Sequence, residues 1–138
     1  MKRTAGRATH VGRAQRGVTL DTGMLIALER RKASALALLK ACLLSHARIT
    51  IPAGVVAEWW RGDHADVLAC GDLEPLSPLL ARKAGELLAT TGQSNAVDAT
   101  VVASAAQRGD LIVTGDSADL VELASHAPGV DVAGLTTG

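Results

Sequence analysis

The chain contains no phenylalanine and no tyrosine, and Trp59 and Trp60 are its only large aromatics. A core without aromatic rings has to be filled by Leu, Val, Ile and Ala, and the abundant Ala points to closely packed helices. Few side chains are left on which a nucleobase could stack. Cysteine is scarce too. Cys42 and Cys70 lack the paired spacing of a metal site and read as small core residues of a reducing compartment. The four histidines, His10, His46, His64 and His126, are scattered, with no i,i+4 pair to hold zinc. No apolar run approaches the ~20 residues of a membrane span. The basic N-terminus has no uninterrupted apolar segment, so it does not read as a secretory signal. A cytoplasmic protein without membrane partners is the expectation.

Net charge is also missing, but only in the sum. Residues 1–17, MKRTAGRATHVGRAQRG, carry Lys2, Arg3, Arg7, Arg13 and Arg16 and no acid. Residues 18–138 set the remaining nine basic side chains against all 14 acids. Residues 1–17 are therefore expected to form a disordered basic tail. It is either an RNA-affinity arm or a segment added by a start codon set too far upstream. Residues 18–138 form one domain, since a chain of this length buries about 65–70% of its unfolded surface and has no room for a second core. A net-acidic domain that handles nucleic acid needs metal ions or a local basic rim.

Apolar segments bounded by turn signals give an alternating order of elements. Val18–Asp21 reads as a buried strand and 22–31 as a helix. The best helix formers fall in 33–47. A strand over Arg48–Ile51 is stopped by Pro52, which is well placed to open a helix over 53–61. A short helix covers 64–70, and Leu73–Leu76 is a weak strand that Pro75 confines to an edge or loop. Helices at 78–91 and 95–108 end at Gly92 and Gly109. A strand over Leu111–Val113, a helix over 117–125 and a weak strand over Val130–Ala133 complete the chain. No segment repeats at solenoid periods. The expected fold class is α/β: a three-layer α/β/α domain with a central, mostly parallel sheet. In such folds, ligands bind beyond the carboxyl ends of the strands.

Two nucleotide motifs are excluded. GRAQRGVT at 12–19 approaches the phosphate-loop pattern, but Val18 holds the lysine position and the segment precedes a strand instead of following one. VTLDTG could open an aspartyl-phosphate site, but Gly23 stands where a second acid is needed. Serine and cysteine nucleophiles lack a partnered histidine.

Four acids remain: Asp21, Glu58, Asp98 and Asp116. Taken singly, each has a structural role. Asp21 can cap the following helix, Glu58 can be a solvated glutamate, Asn95 and Asp98 resemble a capping box, and Asp116 with Asp119 can cap the helix at 117–125. Taken together they fall at one edge of the sheet. Asp21 and Asp116 lie at or past strand ends, and Asp98 opens a helix whose start returns to that edge. Glu58 follows the second strand, flanked by Val55, Val56, Trp59 and Trp60. Two unit charges ~4 Å apart repel by about 4 kcal/mol at an effective dielectric of about 20. Clustered carboxylates therefore call for a divalent cation, and hard oxygen donors suit Mg²⁺ or Mn²⁺. Such an ion activates water and stabilises an in-line phosphodiester displacement.

Four segments, VTLDTGMLIAL, IPAGVVAEWWRG, NAVDATVVASAAQRG and LIVTGDSADL, resemble in order and spacing the PIN-domain family. Within it, they resemble the VapC-type ribonuclease toxins of bacterial toxin–antitoxin pairs. The resemblance covers about residues 18–134. It implies a metal-dependent endoribonuclease whose Asp21, Asp98 and Asp116 hold Mg²⁺ or Mn²⁺, with Glu58 completing the pocket and orienting the attacking water. Thr114 would hydrogen-bond near the site, and Asp119 is either an accessory acid or a helix cap. It further implies a homodimer, an RNA substrate and a cognate antitoxin protein. Arg61, Arg30, Arg31 and Lys32 are candidate phosphate contacts or solvated surface charges. Two alternatives stay open. One is a PIN-like regulator that binds RNA or protein without cleaving. The other is a DNase, since the acids do not distinguish the two sugars.

Overall fold

The computed structural model describes residues 16–115 and 118–135. The tail through Gln15, and Asp116, lie outside the described residues. Five strands are formed: β1 (Val18–Leu20), β2 (Ile49–Pro52), β3 (Asp72–Glu74), β4 (Leu111–Thr114) and β5 (Asp131–Gly134). The helices between them are α1 (Thr22–Glu29), α2 (Ala33–Leu44), α3 (Ala53–Trp59), α4 (Ala65–Leu68), α5 (Pro78–Thr91), α6 (Ala96–Arg108) and α7 (Ala118–Ala124). The sheet order is β3-β2-β1-β4-β5 and every pairing is parallel. The expected three-layer α/β/α architecture is therefore present. Right-handed crossovers put α1–α4 over one face and α5–α7 over the other. The packing follows: α1 touches α2, α3 and α4, while α5, α6 and α7 touch one another.

Each expected element is found, and the altered ends have local causes. The helix expected over 33–47 stops at Leu44. His46 turns left-handed (φ 59°), and the Ala47 N–H reaches back to the Cys42 carbonyl at 3.0 Å. The same six-residue closure ends α1, where Arg31 is left-handed and the Lys32 N–H bonds the Ala27 carbonyl at 2.9 Å. Helix α3 ends at Trp59 because Trp60 is extended. The weak strand pairs over Asp72–Glu74, ahead of Pro75, and sits at the sheet edge.

Core filling follows the composition. Val18, Leu20, Ile49, Ile51, Ile112 and Val113 of the central strands are buried with Met24, Leu25 and Leu28 of α1. Helix α6 is buried without interruption from Ala99 to Ala105, as a helix packed on all sides must be. Its alanines allow close approach of α5, which brings Leu80 and Ala84. Cys42 and Cys70 are free thiols within this packing, and burial pushes both above the ordinary thiol range.

A polar cluster at the end of α6 was not anticipated. Arg108 donates to Asp110 at 2.9 Å, Glu74 at 3.1 Å, Thr19 at 3.0 Å and Ser104 at 2.8 Å. The Thr19 hydroxyl also donates to Asp110 at 2.8 Å, and Ser104 donates to Glu74. One guanidinium thus joins α6, β1, β3 and the residue before β4. Arg16, which the sequence reading assigns to the tail, is held nearby. It donates to the Gly109 carbonyl at 2.9 Å and pairs with Asp131 at 2.9 Å.

Removing Arg108 leaves Asp110, only 2% exposed, with the Thr19 hydroxyl but without the cation paired to it. Arg108→Ala is expected to cost about 3 kcal/mol in urea unfolding, against under about 0.5 kcal/mol for Arg82→Ala on the exposed face of α5.

Candidate functional site

Strands β1, β2 and β3 advance in one direction across the sheet, while β4 and β5 advance in the other. The connections leaving β1 and β4 therefore diverge to opposite faces. A crevice opens at their carboxyl ends, the position where open parallel sheets bind ligands. Asp21 follows β1 directly and is 5% exposed. Its N–H continues the ladder to the Val113 carbonyl at 3.2 Å. Its Oδ1 accepts the Met24 N–H at 2.8 Å, so Asp21 is the N-cap of α1, and its Oδ2 accepts the hydroxyl of Thr114. Thr114 ends β4 and is fully buried. The structural and site readings of Asp21 are thus compatible, because one carboxylate has two acceptor oxygens.

Close approach of the two strand ends depends on glycine. A Cβ on Gly115 would lie 3.1 Å from both the carbonyl carbon and oxygen of Gly23. Sequence reasoning took Gly23 only as a missing acid and gave Gly115 no role. The visible signal was symmetric: DTG after β1 and TGD after β4 each set a glycine within two residues of an acid.

Glu58 enters from α3. The sequence suggests an apolar setting for it, but α3 turns Val55 and Trp59 inward and leaves Glu58 exposed. Its Oε1 accepts the hydroxyl of Thr22, the residue after Asp21. The helix is fixed beside α1 by a second contact, Trp59 Nε1 to Glu29 Oε1 at 2.9 Å. Asp98 is half-buried in the first turn of α6. Asn95 is the N-cap there, accepting the Asp98 N–H at 3.0 Å. The starts of α3 and α6 are neighbours, with Val97 next to Gly54.

Asp21, Glu58 and Asp98 thus all belong to the edge of the sheet at the carboxyl ends of the strands. Asp116 adjoins Gly115 in sequence but lies outside the described residues. Among the described residues, no group of three or more His, Cys, Asp or Glu side chains is close enough to hold a metal ion. In chemistry the acids among the described residues suit a hard divalent cation, since carboxylates are hard oxygen donors. Asp119 is exposed in the first turn of α7, where its carbonyl accepts from Gln93 at 3.5 Å. Arg61 is exposed past the end of α3 and donates to the Trp60 carbonyl at 2.7 Å.

The fold has known counterparts. A chain of the VapBC2 complex of Rickettsia felis, bound to a promoter DNA fragment, superposes with a TM-score of 0.63 at 17% identity. The match covers 86% of this chain and 98% of that one. A toxin–antitoxin complex from Klebsiella pneumoniae gives 0.62 at 18% identity, covering 83% and 95%. FitAcB from Neisseria gonorrhoeae gives 0.61 at 18%, with the same coverage. No family model matches the sequence, and no curated protein does. At these identities the likeness establishes a shared fold: the chain is a PIN-like α/β/α domain.

Thr114→Val keeps the shape of the buried side chain but removes its hydrogen bond to Asp21. A loss of about 1.5–3 kcal/mol is expected in chemical unfolding, the range for a bond to a charged group. Thr22→Val, at a less buried position, is expected to cost under about 1 kcal/mol.

Proposed function

We propose that the chain is a metal-dependent endoribonuclease and the toxin of a toxin–antitoxin pair. The observation that carries this reading is the placement of Asp21, a buried carboxylate held by Met24 and Thr114 at the switch point of a PIN-like sheet. The fold shared with chains of VapBC and FitAcB complexes supports it. So does the order of the four acids along the chain.

Asp21, Asp98 and Asp116 are the residues that would hold Mg²⁺ or Mn²⁺. Held there, such an ion would lower the pKa of a bound water and counter charge on the phosphodiester. Around it the protein's own groups have separable tasks. Thr114 and the Met24 N–H fix both oxygens of Asp21, so the carboxylate enters the reaction already oriented. Glu58 commits Oε1 to Thr22 and keeps its second oxygen to orient the attacking water and take its proton. Arg61 and the exposed Trp60, just past the end of the helix that carries Glu58, would offer a charge and a ring to substrate. A cognate antitoxin, a homodimeric assembly and a cytoplasmic location belong to the same reading.

The test is cleavage of bacterial total RNA by antitoxin-free protein, with Mg²⁺, Mn²⁺ or EDTA. Asp21→Asn is the control of choice, because asparagine can still cap α1 while losing the charge. Discrete fragments that need metal and vanish in Asp21→Asn are expected. Absence of cleavage under every metal would point to the regulator that binds without cutting, and cleavage of single-stranded DNA alone would make the enzyme a DNase.

A separate measurement addresses the ion. Saturating Mn²⁺, at about 100 times its Kd, is expected to stabilise the folded protein by about 2.7 kcal/mol. Asp98→Asn should remove most of the corresponding rise in Tm. An equal rise in the variant would exclude Asp98 as a ligand.

A further inference from the structure

Arg30, Arg31 and Lys32 form the longest run of cations in residues 18–138. The end of α1 splits that run. Because Arg31 takes a φ of 55°, the chain reverses and its neighbours diverge from it. Arg30 and Lys32 line one groove, together with Gly23, Ile26, Gly115 and Leu135. Arg31 lines a different one, beside Leu28, Leu39 and Asp66.

The first groove encloses about 530 Å³. Its wall is a single stripe of α1, since Gly23, Ile26, Ala27 and Arg30 follow the i, i+3, i+4, i+7 spacing of one helix face. It begins at the two glycines that let β1 and β4 approach and extends ~10 Å along the helix, the length of about three stacked nucleotides. The floor is apolar and the far rim is cationic. Among the described residues, the side chains of Arg30 and Lys32 form no ion pair, and both are exposed. Two exposed cations, without an ion pair among the described residues, at the rim of a groove that begins at Gly23, two residues past Asp21, in a domain whose residues 18–138 are net acidic, call for an anionic occupant.

We propose that this groove carries a single strand of RNA away from the acid centre, with phosphates against Arg30 and Lys32 and bases against Ile26, Ala27 and Leu135. The inference rests on the nuclease reading and specifies where its substrate lies. Apolar contact replaces ring stacking along this track, in keeping with a chain that has no Phe or Tyr. The side-by-side Arg31 is the internal control, equal in charge and also exposed but lining a different groove.

The experiment measures binding of a fluorescent single-stranded oligoribonucleotide to Asp21→Asn protein as salt is varied, with Arg30→Ala, Lys32→Ala or Arg31→Ala added. Arg30→Ala and Lys32→Ala are each expected to weaken binding about fivefold at low salt and to lower the salt slope by about 0.7. Arg31→Ala should stay within about twofold. In otherwise wild-type protein the first two should raise KM for RNA cleavage with kcat little changed. If RNA is bound and cut but all three variants behave alike, the groove assignment is overturned and the nuclease reading stands. If the wild-type protein neither binds nor cuts RNA, the nuclease reading fails and the groove assignment fails with it. Displacement of the oligonucleotide by a polyglutamate peptide of equal charge at equal concentration would also overturn the assignment, in favour of an acidic protein partner.

Discussion

A single desolvated carboxylate organises this domain. Asp21 is buried between the central strands, where an ionised group without compensation is costly. The compensation includes donors on two different elements, the Met24 N–H of α1 and the Thr114 hydroxyl of β4. Each bond does structural work. The first fixes the start of α1, which places Thr22 against Glu58 and Gly23 against Gly115. The second draws the end of β4 to the end of β1. The same two contacts that shape the carboxyl edge of the central strands also orient the Asp21 carboxylate, so fold and site are not separable here.

Helix α6 raises the opposite problem. A helix buried through alanine, valine and small polar residues can slide or rotate at little cost, because small side chains interlock weakly. Shape alone gives it poor registration. The Arg108 cluster supplies what packing does not. A planar guanidinium with fixed donor directions meets Asp110, Glu74, Thr19 and Ser104 in one arrangement, and a slip of α6 would leave buried charge unpaired. At the other end, Asn95 fixes the first turn. Asp98 is thereby held by a cap and by a polar cluster a helix length away. The scarcity of aromatic rings and the presence of this cluster are two sides of one solution.

These features explain what the sequence disclosed. Alternating strands and helices were legible because Pro52, Gly92 and Gly109 mark boundaries and the apolar runs are clean. The ends of α1 and α2 were not, since Arg31 and His46 adopt left-handed conformations that their residue types do not announce. The setting of Glu58 was misjudged for a related reason: neighbours in sequence on a helix point to different sides, and Val55 and Trp59 turn into the core. Asp21 and Thr114 could be placed at strand ends, but their mutual bond depends on two glycines whose value appears only when the strands meet. The Arg108 cluster was invisible because Thr19 and Glu74 reach it from distant parts of the chain, while Ser104, Arg108 and Asp110 by themselves look like ordinary polar residues at a helix end.

The distribution of charge bears on how a net-acidic domain could engage a polyanion. Carboxylates gathered at one point repel phosphate unless a cation intervenes, and cations placed directly among them would pair with them and displace the metal. Separation resolves the conflict. At physiological ionic strength exposed charges are screened over about 8 Å, and the far rim of the α1 groove stands ~10 Å from Gly23 along the helix. On the nuclease reading, Arg30 and Lys32 would be far enough from Asp21 to leave its electrostatics to its own hydrogen bonds and to any ion it held. They are near enough for one short strand to touch both places. Because apolar side chains on this track offer no hydrogen-bond code for bases, recognition there would be tolerant of sequence and sensitive to salt. Any base preference would then have to arise outside this track.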